Sequence, residues 1–234
     1  KTNFNKLNIN WSYIGYLTKN FDDIIFVSSG TGLSSGYFKN FGETQRLGLD
    51  FTVNASNSNK KSGIKGFIVN YSYMKASFLS NHTLPAANHP NTVNDVESGD
   101  IIPGMPEHKL NANFTYGLFK DLNITAGLTG ATGVFLRGDE SNQLNKTSPY
   151  AVFNLQSDYS PKKNIKFFAR LENIFNSKYE TMGVLGEAAS DEVNVPIEEL
   201  GDTGSGDTAV GPLDPNFLSP GQPRSLFIGI NLQW

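Results

Sequence analysis

The chain has 234 residues, of which 38% are hydrophobic and 18% charged, and its formal net charge at pH 7 is -3. It contains no cysteine, which excludes disulfide frameworks, thiolate metal sites and cysteine nucleophiles. The slightly acidic balance provides no basic surface for nucleic acid, and no run of residues approaches the roughly 20 consecutive apolar residues of a membrane-spanning helix.

Alternation of apolar and polar residues recurs along the chain and predicts an all-β protein of eight strands. The first strand is predicted over about 7–27, further strands over about 63–79, 121–136 and 164–179, and the last one at the C-terminus. The last strand shows the pattern most clearly, because one of its two faces consists of Leu226, Ile228, Ile230, Leu232 and Trp234. The predicted connections lie at 28–37, 55–62, 80–106, 119–122, 137–148, 160–164 and 180–222.

These connections alternate between long and short, which is typical of an antiparallel transmembrane β-barrel with short periplasmic turns and long extracellular loops. The polar face carries Asn, Thr and Gln together with Lys166, Arg170 and Glu172, and is too hydrophilic for the core of a β-sandwich. The apolar face is therefore expected to contact lipid. Aromatic residues at strand ends are expected to form interfacial girdles, for example Tyr73 and Tyr150 at the loop end.

Three segments resemble the C-terminal barrel region of TonB-dependent outer-membrane receptors: GETQRLGLD at 42–50, LENIFNSKY at 171–179 and the ending FLSPGQPRSLFIGINLQW. The resemblance extends over about 7–234. It implies that residues 1–234 form the C-terminal portion of a 22-stranded barrel domain, and that the plug domain and the TonB-contacting segment belong to a missing N-terminal part. Gly229, Leu232 and Trp234 resemble the barrel-assembly signal, from which Phe227 departs.

The function implied by this resemblance is TonB-dependent uptake of a scarce nutrient across a Gram-negative outer membrane, with a ferric siderophore as the leading candidate. Such a receptor is not an enzyme and carries no cofactor. Its expected partners are outer-membrane lipid, a small-molecule nutrient or iron chelate, the plug domain, TonB and the barrel-assembly machinery, with no nucleic acid.

Two loops contain the candidate binding residues. The connection 80–106 offers imidazole and carboxylate groups to a metal chelate, from His82, His89, Asp95, Glu97 and Asp100. Residues 187–214 contain eight acidic side chains and no Lys, Arg or His. Asp202 and Asp207 in that segment are candidates for a calcium site, although a solvated outer loop explains the same composition.

Other interpretations remain open at this point. A complete eight-stranded outer-membrane barrel, acting as a structural protein or adhesin, would satisfy the even strand number. GLSSG at 32–36 matches the G-x-S-x-G motif and makes Ser34 the nucleophile of a possible hydrolase, although no helix is predicted after it. A soluble barrel of the lipocalin kind would need the opposite arrangement of faces. The charged residues Arg46, Asp50, Lys166, Arg170 and Glu172 either pair within the barrel wall or dock the plug.

Overall fold

A computed structural model of the protein describes residues 2–4, 7–28, 36–57, 63–84, 94–185 and 216–233. Its strands are β1 (Thr2–Phe4), β2 (Leu7–Asn20), β3 (Ile24–Ser28), β4 (Gly36–Asn40), β5 (Thr44–Asn57), β6 (Gly63–Phe78), β7 (His82–Leu84), β8 (Asn94–Val96), β9 (His108–Phe119), β10 (Leu122–Ala131), β11 (Tyr150–Lys162), β12 (Ile165–Glu172), β13 (Glu180–Leu185), β14 (Asn216–Pro220) and β15 (Ser225–Leu232). Within these described ranges, no helix is long and apolar enough to cross a membrane.

Nine strands form one antiparallel sheet in the order β1, β2, β5, β6, β9, β10, β11, β12, β15. Eight of them are long, so the predicted all-β fold of eight strands is confirmed. In the described part of the chain, β1 and β15 are the edges of an open sheet and do not pair with each other. This arrangement fits a segment of a larger barrel.

The connections of the main sheet differ at its two ends. At the turn end, β9 is followed by β10 after two residues, and β11 by β12 after two residues. At the loop end, the connections are long and contain the separate hairpins β3–β4, β7–β8 and β13–β14. The predicted alternation of short turns and long loops is confirmed.

The two faces of the sheet are sorted by polarity across all eight long strands. One cross-strand row contains Ile9, Ala55, Phe67, Phe114, Ala126, Leu155, Leu171 and Leu226. The adjacent row, on the opposite face, contains Asn8, Ser56, Gly66, Thr115, Thr125, Gln156, Arg170 and Phe227. We call these the apolar face and the polar face. Many side chains of the apolar face are exposed, as Ile228 illustrates with a relative exposure of 75%.

The first predicted strand, 7–27, is wrong in its extent, because the chain leaves the main sheet after Asn20. Asp22 adopts a left-handed conformation with φ 56°, and Asp23 then exchanges backbone hydrogen bonds with Gly42 and Phe41. Residues 24–28 consequently pair with β4 as a hairpin. The strands predicted over 121–136 and 164–179 also continue beyond their observed ends at Ala131 and Glu172.

The main cluster of buried apolar residues lies at the loop end rather than between layers of the sheet. This loop-end core joins residues of the hairpins β3–β4 and β7–β8 to the end of β6 and to the segment before β9. Its members are Val27, Phe41, Ala76, Phe78, Leu84, Val96 and Ile102. Burial of these side chains holds the loops against one another.

Candidate ligand-binding site at the loop end

His82 and the acidic residues that follow it are engaged with their own loop. The His82 imidazole lies with Nε2 2.7 Å from the carbonyl oxygen of Phe41 and with its ring edge against the Phe41 ring. Asp95 accepts a hydrogen bond from the Thr83 hydroxyl at 2.8 Å. These contacts connect the hairpin β7–β8 internally and to the segment before β5. The role of His82 and Asp95 in binding a ligand remains a prediction.

Asp100 closes a tight turn at the end of β8. Its carboxylate accepts the backbone N–H of Glu97 at 2.8 Å. Burial raises the pKa of the Asp100 carboxyl, and the nearby charges of Glu97 and Asp139 act in the same direction, against the lowering effect of that hydrogen bond. No group of three or more His, Asp or Glu residues is placed to hold a metal ion in the part of the chain that the structure describes.

Five of the sequence-predicted residues, His89, Asp202, Asp207, Trp234 and the Ser34 of the hydrolase alternative, lie outside the described residues. Gly229 and Leu232 both lie on β15. Leu232 pairs with Ile165 on the apolar face, and Gly229 pairs with Phe168 on the polar face. Their role as an assembly signal remains a prediction.

A buried polar cluster, which we call the loop clamp, joins the loop before β9 to the loop after β10. The Asn94 amide donates to the Glu140 carboxylate at 3.0 Å and to the Gly138 carbonyl, and it accepts the backbone N–H of Ser141. Asn142 exchanges hydrogen bonds with the backbone of Ile101. The run GDESN at 138–142 was the available sequence signal, because glycine, acidic and amide residues are typical of structured turns.

A second polar cluster anchors the base of the hairpin β3–β4. The carboxylate of Asp23 accepts hydrogen bonds from Asn20 and Thr44, and it forms an ion pair with Arg46 at 3.1 Å. Burial raises the pKa of Asp23, but the hydrogen bonds from Thr44, Asn20 and Arg46 outweigh burial and hold the pKa below its ordinary value. Arg46 is thus neutralised within the wall.

A cavity of about 210 Å³ lies between these two clusters, and we call it the loop-end cavity. It is lined by apolar residues of β3 and of the segment before β9, and by four charged side chains. The lining residues are Asp23, Ile24, Ile25, Phe26, Arg46, Ile102, Pro103, Met105, Arg137 and Glu140. A partly apolar cavity with a few charged groups is typical of a ligand site.

A second cavity of about 210 Å³ lies at the loop ends of β10, β11 and β12. Its walls include Tyr150, Tyr179 and Glu172, with the two tyrosine rings 4.6 Å apart. The assignment of Tyr150 to an outer aromatic girdle is therefore wrong: it pairs with Ala131, and that pair lies on the polar face.

The charged residues of the polar face pair mainly within the wall. Lys166 lies 2.9 Å from Asp158 on the neighbouring strand, and Arg170 lies 3.2 Å from Glu172 on its own strand. Asp50 accepts a hydrogen bond from Ser72 rather than from Arg46. These contacts correspond to the pairing expected within a barrel wall.

Residues 2–174 match the family model described as "TonB dependent receptor-like, beta-barrel", and no curated protein matches the sequence. The fold is similar to the siderophore receptor PiuA from Acinetobacter baumannii (TM-score 0.63, 13% identity, 96% of this chain and 26% of that one). It is also similar to the ferric yersiniabactin uptake receptor FyuA from Yersinia pestis (TM-score 0.59, 14% identity, 95% of this chain and 27% of that one). A third similar structure is the copper transporter OprC (TM-score 0.59, 17% identity, 99% of this chain and 29% of that one). The chain thus spans between a quarter and a third of each solved relative.

Proposed function

Because the chain belongs to the TonB-dependent receptor family, matching its β-barrel model over residues 2–174, we propose that it imports a ferric siderophore as the C-terminal portion of an outer-membrane receptor barrel. The family and the solved relatives are transport receptors rather than enzymes. The remaining strands, the plug domain and the contact with TonB belong, in this proposal, to the preceding part of the receptor.

The apolar face supports the outer-membrane location. The cross-strand row from Ile9 on β2 to Leu226 on β15 is apolar throughout. Its exposed members, Phe114, Leu155 and Leu226, are unfavourable in water and favourable against lipid hydrocarbon. The polar face then lines the interior of the barrel, where Asn, Thr and Gln side chains remain hydrated or contact the plug.

The observation that carries the choice of ligand is the loop-end cavity. It lies at the loop end of the main sheet, on the side from which a nutrient would arrive, and combines apolar walls with arginine and carboxylate groups. A metal chelate has the same mixture of organic and charged surface. Several solved relatives carry matching names, including a ferric-catecholate import receptor and a ferric citrate transporter, and the name of a copper transporter extends the range of metals.

Uptake of radioactive iron tests this proposal. Cells that express the full-length protein, otherwise identical cells without its gene and cells without TonB would be supplied with ferric catecholate, hydroxamate and citrate complexes. We expect at least one complex to accumulate only when both the receptor and TonB are present. If none of the three classes shows receptor-dependent accumulation, the assignment to ferric siderophore uptake is wrong.

A further inference from the structure

Arg137 is the cationic residue of the loop-end cavity whose charge the wall does not neutralise. Its backbone is held on both sides, because its N–H donates to Gly183 and its carbonyl accepts the N–H of Leu185. Its side chain extends along Gly104, which has φ +79° and leaves room for the arginine stem. Arg137 is exposed, and its guanidinium forms no ion pair or hydrogen bond with any residue in the described ranges.

The other charged groups of the cavity are satisfied. Asp23 and Arg46 neutralise each other. Glu140 is only 3% exposed, and its carboxyl group accepts hydrogen bonds from the Gly138 N–H and from Asn94. Burial raises the pKa of Glu140, against the lowering effect of these hydrogen bonds. Arg137 is therefore the exposed charged side chain of the cavity that has no partner among the described residues.

The size and the walls of the cavity restrict which chemical group can bind beside Arg137. Phe26 is 38% exposed and packs edge-on against Phe38, which leaves its ring available to a second aromatic group. Ile24 and Met105 complete an apolar wall. A volume of about 210 Å³ is smaller than the roughly 300–1,000 Å³ of a complete small-molecule site, so it suits one ring of a larger ligand.

We propose that the loop-end cavity binds one anionic aromatic arm of the imported chelate, a catecholate, with Arg137 pairing to its oxygen atoms and Phe26 contacting its ring. This inference rests on the proposed function. The planar guanidinium can donate two hydrogen bonds to the adjacent oxygens of a catecholate, a geometry that lysine cannot reproduce. Hydroxamate and citrate complexes lack the aromatic ring, and a ferric trihydroxamate also carries no net negative charge.

The test compares two ferric probes on the full-length receptor in detergent: a tripodal tris(catecholamide) complex, which is anionic, and a tripodal tris(hydroxamate) complex, which is uncharged. Arg137→Gln should weaken binding of the catecholamide complex about 10- to 100-fold, as expected for loss of a charge-assisted pair, and should leave hydroxamate binding unchanged. Arg137→Lys should retain part of the affinity. Arg224→Gln is the matched control, because Arg224 is an exposed arginine of the same end that does not line the cavity.

Phe26→Leu provides a second variant that keeps an apolar side chain but removes the ring, and it should weaken catecholamide binding several-fold. Unchanged catecholamide affinity in both Arg137→Gln and Phe26→Leu would overturn the inference, as would an equal loss for the two probes. Binding of the hydroxamate complex alone would also overturn it while leaving the proposed uptake of iron chelates intact. Failure of the wild-type receptor to bind either probe would overturn the inference, whereas the proposed function fails only if the uptake experiment also shows no accumulation of the ferric citrate complex.

Discussion

Replacement of Gly229 by alanine separates two explanations of this residue. Gly229 lies on β15 directly opposite Phe168, whose ring covers the glycine on the polar face. An added Cβ would lie 2.4 Å from Cζ of Phe168, whereas carbon atoms in contact are about 3.5–4.0 Å apart. The ring would therefore have to withdraw by about 1 Å. In this explanation Gly229 is required for packing, and not as part of an assembly signal.

The loss of stability expected for Gly229→Ala follows from the packing of this residue. Forcing one extra carbon into a close contact costs about 1–3 kcal/mol, and β15 is an edge strand of the described sheet that pairs only with β12. We therefore expect Gly229→Ala to lower the free energy of unfolding by about 1–3 kcal/mol. Phe168→Ala removes the ring that the new methyl group would meet. The two substitutions should be strongly non-additive in a double-mutant cycle.

Urea unfolding of the full-length protein in detergent, for the wild type, both single variants and the double variant, measures this coupling. The double variant should lose little more stability than Phe168→Ala alone. The packing explanation is refuted if the two losses simply add. A defect confined to insertion into the outer membrane, unrelieved by Phe168→Ala and with unchanged urea stability, would instead support the assembly signal.

Three further predictions concern the faces and the loops. Phe114→Arg, on the apolar face, should lower stability by about 2–4 kcal/mol if that face contacts lipid. The control Asn113→Arg changes the adjacent residue on the polar face and should be tolerated. Equal amounts of the two folded variants in the outer membrane would contradict this orientation of the faces. The pKa of Asp23 is lowered on folding, so the contribution of its carboxylate to stability is present above its ordinary pKa and is lost as the pH falls through the pKa of the folded state. The thermal unfolding temperature of Asp23→Asn should therefore vary less with acid pH than that of the wild type. Asn94→Ala should leave buried polar groups without partners at about 1–3 kcal/mol each and increase hydrogen exchange in the loop clamp, while the exposed control Asp95→Ala should not.

The strand pattern was predictable because it depends on local geometry. Successive side chains of a strand point to opposite faces, so the alternation from Leu226 to Leu232 identified the apolar face of β15 without knowledge of its neighbours. The same reasoning failed over 7–27, where Ile24 to Val27 continue the apolar pattern but belong to a hairpin. The left-handed Asp22 and the hydrogen bonds of Asp23 with the segment 41–42 decided that change of direction.

The candidate site was less predictable, because it depends on contacts between distant loops. His82 and Asp95 have suitable chemistry for binding a ligand, and only the structure shows that they also contact the Phe41 carbonyl and the Thr83 hydroxyl. Glu140 lies in the sequence as an ordinary loop acid and is buried through Asn94, 46 residues away. Tyr150 resembled an interfacial aromatic until its pairing placed it on the polar face.

The sequence by itself determined the all-β fold, the alternation of short and long connections and the family, since these follow from periodicity, spacing and short motifs along one dimension. Only the tertiary structure decided which charged groups are neutralised and which remain available. Arg46 and Arg137 are both arginines near a loop, but folding brings Asp23 to the first and no described acceptor to the second. Electrostatic pairing acts over a few ångströms, and those distances are set by the packing of segments that are far apart in the chain.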